Sequence, residues 1–227
     1  YYPYFKQEPG RRIDMAERVV FIKTGGEGYY EEKKSRFIAA VYSISSEEEA
    51  ASYIEAARKK YWDARHNCYA FVIGDNNEIM RFSDDGEPSG TAGKPILEVI
   101  AGRGIHNCLI VVTRYFGGTL LGTGGLVRAY QKSSLDALCN SSIAVRTKGS
   151  RITVRTDYNC AGKLQYAAQK NEWMLENIIY EADVELVFAV PEKMCERVIK
   201  EITEITSGKA QINEEKNIDI EEPIQPD

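Results

Sequence analysis

Residues 109–130 read LIVVTRYFGGTLLGTGGLVRAY, and this stretch decides how the first half of the chain folds. Leu109 to Thr113 is a short apolar, β-branched run, which predicts a buried strand. A loop from Phe116 to Gly125 follows, holding five glycines: Gly117, Gly118, Gly122, Gly124 and Gly125. Leu126, Val127, Tyr130, Leu135 and Leu138 then predict a helix. Glycines permit positive φ and close backbone approach. A helix start offers free N–H groups and a positive dipole end, which together suit an anion. Arg114 precedes the loop and Arg128 lies in the first turn of the helix, so a phosphate would be well received. The same glycines would also serve a tight turn with no ligand. No GxxxxGK[ST] string is present, so this is not a Walker A loop.

Working outward, Val19 to Lys23 predicts a first strand and Gly25, Gly26 and Gly28 a turn. Tyr29 to Glu32 and Phe37 to Tyr42 are strand-like around the charged run 31–36. Ser46 and Glu49 have capping-box spacing, and Ala50, Ile54 and Ala57 recur at helical period, closing near Lys59-Lys60. Cys68 to Ile73 and Ile79 to Phe82 predict a hairpin. Ser83 to Lys94 is a polar loop, and Pro95 suits the start of a short helix to Ala101. A second pattern begins after a boundary expected at 147–150. Its elements are a strand at Arg151–Thr156, a helix at Ala161–Lys170, strands at 173–180 and 183–190, a helix at Pro191–Thr206 and a short strand at Ala210–Ile212. That order is β-α-β-β-α-β, the split βαβ pattern. The expected fold class is therefore α+β, with domains at 15–147 and 150–213.

Composition narrows the function classes. Net charge is −5, but residues 15–213 hold 25 Lys and Arg against 26 Asp and Glu, while 214–227 hold one Lys and six acids. A global basic balance, the usual footprint of a nucleic-acid binder, is missing, so such binding would need a local patch. The acidic segment 214–227 is expected to be disordered. Residues 1–14 lack periodicity and are expected to be a leader, with Met15 as a start. The five cysteines, Cys68, Cys108, Cys139, Cys160 and Cys195, form no CxxC pair and are expected as free, mostly buried thiols. No apolar run reaches the roughly 20 residues of a membrane span. No signal peptide is visible, so the expectation is a cytoplasmic chain without a membrane partner.

Several residue types could carry chemistry. Lys33, Lys34, Arg36, Arg65, Lys94, Arg114 and Arg128 would form a basic patch if their loops converge. Tyr61, Trp62, Tyr115 and Phe116 could stack on single-stranded bases, or sit in a core. His66 could act as a general base near neutral pH or be structural. Asp84, Asp85 and Glu87 could hold a divalent cation such as magnesium, although acid-Gly-Pro loops are usually turns. Asp84 and Asp85 could instead cap backbone N–H groups or pair with Arg114 or Arg128. No cofactor is otherwise expected.

Four strings carry a resemblance. Lys34-Ser35-Arg36-Phe37, 63–68 (DARHNC), 83–95 (SDDGEPSGTAGKP) and 114–130 appear in the order of the YigZ/IMPACT family's motifs. The chain resembles a bacterial-type member of that family. The resemblance implies a first domain similar to domain IV of elongation factor G, an α/β two-layer sandwich also used by GHMP kinases. It implies a ferredoxin-like second domain, similar to domain V of that factor. It also implies a theme of translation, with RNA or the ribosome as partner. The RWD domain of eukaryotic members is not expected here. Three function classes follow. The first is a translation-associated binding protein acting through the glycine-rich surface, with a role in regulating translation. The second is a phosphate- or nucleotide-dependent enzyme using Asp84, Asp85 and His66. The third is a protein-interaction module working through the second domain and the acidic segment.

Overall fold

A computed structural model describes residues 18–224. The leader expected at 1–14, the start at Met15, and residues 225–227 of the acidic segment lie outside the described residues. The chain forms two compact units, Val19–Val145 with the end of the last strand from Glu222, and Arg146–Glu221.

The first unit is built on a five-stranded antiparallel sheet. Its strands are β2 (Glu27–Glu32), β3 (Ser35–Ser43), β4 (His66–Ile73), β5 (Ile79–Ser83) and β7 (Cys108–Tyr115), in the order β2-β3-β7-β4-β5. Side chains alternate across a strand, so odd and even residues of β7 face opposite ways. Ile110 and Val112 join Phe37, Ala39, Cys68 and Ala70 in a core. Helices α2 (Gly93–Gly102) and α3 (Gly122–Cys139) cover it with Ile96, Ile100, Ala129, Tyr130 and Leu138. Leu109 and Val111 face the other way, with Phe71 and Ile73, against Ala50, Ile54 and Ala57 of α1 (Glu47–Lys60). The result is a sandwich of sheet on α2 and α3, with α1 laid on part of the sheet's outer face. A small parallel pair, β1 (Arg18–Thr24) with β6 (Ile105–His106), completes the unit.

In the second unit, β8 (Ser142–Thr156), α4 (Tyr158–Lys170), β9 (Met174–Tyr180), β10 (Val184–Pro191), α5 (Glu192–Ile205) and β11 (Gln211–Ile224) follow the split pattern. β10 lies between β8 and β9, and β11 pairs with the free side of β8, giving β11-β8-β10-β9. This is the strand order of a ferredoxin-like fold. Ile152, Val154, Leu186 and Phe188 pack on Leu164, Ala168, Val198 and Ile202 of the two helices.

Three boundaries move. The expected interdomain segment 147–150 lies inside β8, a continuous strand. Helix α3 begins at Gly122, within the loop read as extending to Gly125. The expectation of a disordered acidic segment is corrected, since β11 runs to Ile224. Its acids are not a solvated run. Ile218, Ile220 and Ile224 alternate inward with at least partial burial, and Ile220 is 3% exposed. Glu214 accepts from Ser150, Glu215 pairs with Arg151, and Asp219 pairs with Lys148. Cross-strand pairing of this kind keeps an acidic strand in place.

Candidate functional site

The four motif strings meet at one end of the five-stranded sheet. Strand register sets Arg36 opposite Tyr115, Phe37 opposite Arg114, and His66 opposite Arg114. The two-residue turn Lys33-Lys34 joins β2 to β3 with φ of 49° and 65°. Both values lie in the left-handed region, where Asn-Gly is the favoured pair. Gly117 packs against this turn so closely that a Cβ there would fall inside the backbone of Lys34 and Ser35. Buried Ser35 secures the contact by accepting from the Gly117 N–H at 3.1 Å. Gly118 and Gly122 hold φ of +85° and +72°. The glycine loop is thereby clamped to the lysine turn.

Beneath the surface lies a buried polar network. Arg114 is 6% exposed and its guanidinium donates to Glu87 Oε1 at 2.6 Å. Tyr130 donates to the same oxygen at 2.8 Å. Cys68 Sγ lies 3.3 Å from Tyr130 Oη and donates to the Asp84 carbonyl at 3.0 Å. The Arg114 guanidinium also sits 5.5 Å from the Phe37 ring centre and 5.8 Å from that of Phe116. Burial pushes the Tyr130 phenol and the Cys68 thiol far above their ordinary values, so neither ionises near neutral pH. Arg114, grouped on sequence with the surface cations, is an internal tie.

The acids are committed to the fold. Asp84 accepts from Gly90 N, Ala92 N and Gly93 N at 2.8–3.0 Å, which shapes the loop and satisfies the start of α2. Asp85 accepts from Asn67 N at 2.7 Å and pairs with Arg58 at 3.0 Å. Glu87 faces Arg114 and Tyr130. The capping alternative read from sequence describes both Asp84 and Asp85, and the arginine that Asp85 meets is Arg58, not Arg114 or Arg128. Among the described residues, no three His, Cys, Asp or Glu side chains gather as a cation site would need. His66 Nδ1 lies 2.8 Å from the Asp85 carbonyl. A carbonyl only accepts, so the proton of this contact is on Nδ1, and Nε2 is the basic nitrogen of the neutral ring.

The cations are left free. Lys33, Lys34, Arg36, Arg65, Lys94 and Arg128 are exposed. None pairs with a carboxylate among the described residues. The Arg36 guanidinium lies 4.7 Å over the Tyr115 ring. Tyr115 donates to Asp63 at 2.7 Å, a bond that raises its phenol pKa and occupies its polar end. Tyr115 thus presents one ring face to Arg36, and Phe116 is the freer stacking surface at 49% exposure. Trp62 at 83% and Leu120 at 82% add exposed apolar area. Helix α3 starts without a side-chain cap and without an acid in its first turn. By contrast Ser46 caps α1 and Asp157 caps α4. Arg128 sits over this open start, where a Cβ on Gly124 would lie 3.7 Å from its Nη1.

Ser35, Asp63 and Tyr130 lie within the motif strings, but sequence reasoning gave none of them a role at this end. Ser35 had a signal, because it alternates in phase with Phe37 and Ala39. Asp63 had none, since its contact with Tyr115 spans 52 residues.

Comparison with known proteins agrees with these motifs. Residues 33–138 match the Impact N-terminal domain, and residues 154–209 match the Domain of unknown function (DUF1949). The chain is 41% identical to IMPACT family member YvyE of Bacillus subtilis, over 85% of this chain and 89% of that protein. It is 36% identical to IMPACT family member YigZ of Escherichia coli, over 79% of this chain and 89% of that protein. A solved structure titled as that of a hypothetical protein superposes with a TM-score of 0.56 at 33% identity, covering 89% of this chain and 98% of that one.

Proposed function

The chain belongs to the IMPACT family, and from that premise we propose that it is a translation-associated protein whose first unit binds RNA, on the ribosome or free of it. One observation carries this reading. Six exposed cations without carboxylate partners lie on or beside the motif strings, while Asp84, Asp85 and Glu87 are taken up by backbone N–H groups, by Arg58 and by Arg114. A surface of this kind attracts a polyanion although the whole chain is acidic. Phosphates meet Lys33, Lys34, Arg36, Arg65, Lys94 and Arg128, and the open start of α3 adds backbone donors. Phe116 and Trp62 supply faces on which unpaired bases stack, at roughly 1–3 kcal/mol per base in such sites. Contacts to backbone phosphate carry little sequence information, so binding is weakly sequence-specific and strongly salt-dependent.

The test is binding of the chain to ribosomal subunits and to ribosomal RNA across a salt series. Affinity is expected to fall steeply with salt. Arg36→Ala/Arg128→Ala is expected to weaken binding and to flatten the slope of log K against log salt by roughly 0.7–0.9 per lost phosphate contact. No binding at low salt, or an unchanged slope in the double variant, overturns the reading.

A further inference from the structure

Gly162 stands in the middle of α4, exposed, with nothing within 4 Å of where a Cβ would be. Glycine is the poorest helix former after proline. Most other glycines in the described chain have a local reason, either positive φ or a neighbouring backbone that a Cβ would strike. Gly162 has neither, so no internal demand accounts for the missing side chain. The surroundings supply an external one. Tyr166, one turn on, is 69% exposed. Lys163 and Lys170 flank it, both exposed and both without a carboxylate partner among the described residues. Beside them an open groove of about 530 Å³ runs between α4 and α5, with Ala167 and Ile205 in its apolar lining.

We propose that the outer face of α4, with its groove, is a docking surface for an acidic segment of a partner protein that carries an apolar anchor. The anchor fills the groove against Ala167 and Ile205. Gly162 lets the partner's backbone approach the helix closely, and Tyr166 gives a large rigid contact at low entropic cost. Acidic residues of the segment meet Lys163 and Lys170. Glu201 also lines the groove, accepting from Asn171 at 2.7 Å, so the segment's apolar anchor lies in the groove and its acids lie outside it, toward Lys163 and Lys170. The proposal concerns the second unit and does not rest on RNA binding by the first.

The experiment is selection of a random linear-peptide display library on the immobilised full chain, followed by titration of the selected peptides. Peptides pairing Asp or Glu with a large apolar residue are expected to enrich. Lys163→Glu/Lys170→Glu is expected to weaken them at least tenfold. Gly162→Ala is the discriminating variant: it is expected to raise the melting temperature and yet weaken binding several-fold. Arg36→Ala/Arg128→Ala serves as a control expected to leave peptide affinity unchanged. Absence of acidic enrichment, or equal binding by the Gly162→Ala and Lys163→Glu/Lys170→Glu variants, overturns the proposal. So does polyuridine RNA binding that is lost in those same variants, which would assign the face to nucleic acid.

Discussion

The motif end of the first unit and the β8 strand of the second use the same residue types to opposite ends. On β8, Lys148 pairs with Asp219, Arg151 with Glu176 and Glu215, and Arg155 with Asp183. Each of these three cations is paired with an acid from another strand or loop. At the motif end Asp84 and Glu87 turn inward, to backbone N–H groups and to buried Arg114, Asp85 is shared between Asn67 N and Arg58, and six exposed cations carry no carboxylate partner among the described residues. Local potential therefore depends on what the carboxylates are doing, and a count of charges does not reveal it. A nearly neutral body can carry a basic surface when its acids are taken up by the fold.

The largest effect that would test this contrast lies at Glu87. Its pair with Arg114 is buried on both sides, with side chains 3% and 7% exposed. Glu87→Ala leaves the Arg114 charge uncompensated in the interior, which costs about 3–5 kcal/mol. Asp183→Ala removes the exposed partner of Arg155, a type of pair worth ~0–1 kcal/mol. Urea denaturation of the two variants checks the difference. A loss below about 1 kcal/mol in Glu87→Ala would remove the distinction between an internal tie and a surface pair.

An effect on binding but scarcely on stability separates the two regions next. Arg36→Ala/Arg128→Ala is expected to lower RNA affinity with the fold unchanged, whereas Arg151→Ala/Arg155→Ala is expected to leave RNA affinity as it is. Both pairs remove two arginines, so net charge is controlled. Equal losses would mean that charge number governs binding and that the position of the acids does not.

These contrasts were only partly legible in the sequence. The order β-α-β-β-α-β and the strand-loop-helix around Phe116 to Gly125 were readable because periodicity and glycine spacing are local. Convergence of the motif strings depended on contacts across as many as 82 residues, as between Ser35 and Gly117. Arg114 did leave a trace. It is in phase with Ile110 and Val112 on β7, so alternation alone assigns it to the core face, and its charge drew the reading outward. The acidic part of β11, beyond the short strand expected at Ala210–Ile212, was missed for the same reason. A count of acids hid the alternation of Ile218, Ile220 and Ile224. Asp84, Asp85 and Glu87 read alike in sequence, and only the partners that the fold brings to them tell their roles apart.

The smallest expected effect compares two helix starts. Helix α3 begins without a carboxylate, and α4 begins with Asp157, whose Oδ1 accepts from Cys160 N at 2.8 Å. That backbone hydrogen bond favours the ionised form and holds the Asp157 carboxyl below the ordinary aspartate value. A carboxyl depressed in the folded state contributes stability in full above its unfolded pKa, about 3.9, and loses it as pH falls through the folded value. Asp157→Asn keeps a capping oxygen but removes the charge. The wild type is therefore expected to exceed Asp157→Asn in urea midpoint at pH 7, and the gap is expected to narrow once pH falls below about 3.9. A gap that stays constant or widens in acid would mean that the carboxylate's charge gives α4 nothing beyond a hydrogen-bond acceptor. The start of α4 would then differ from that of α3 in geometry alone.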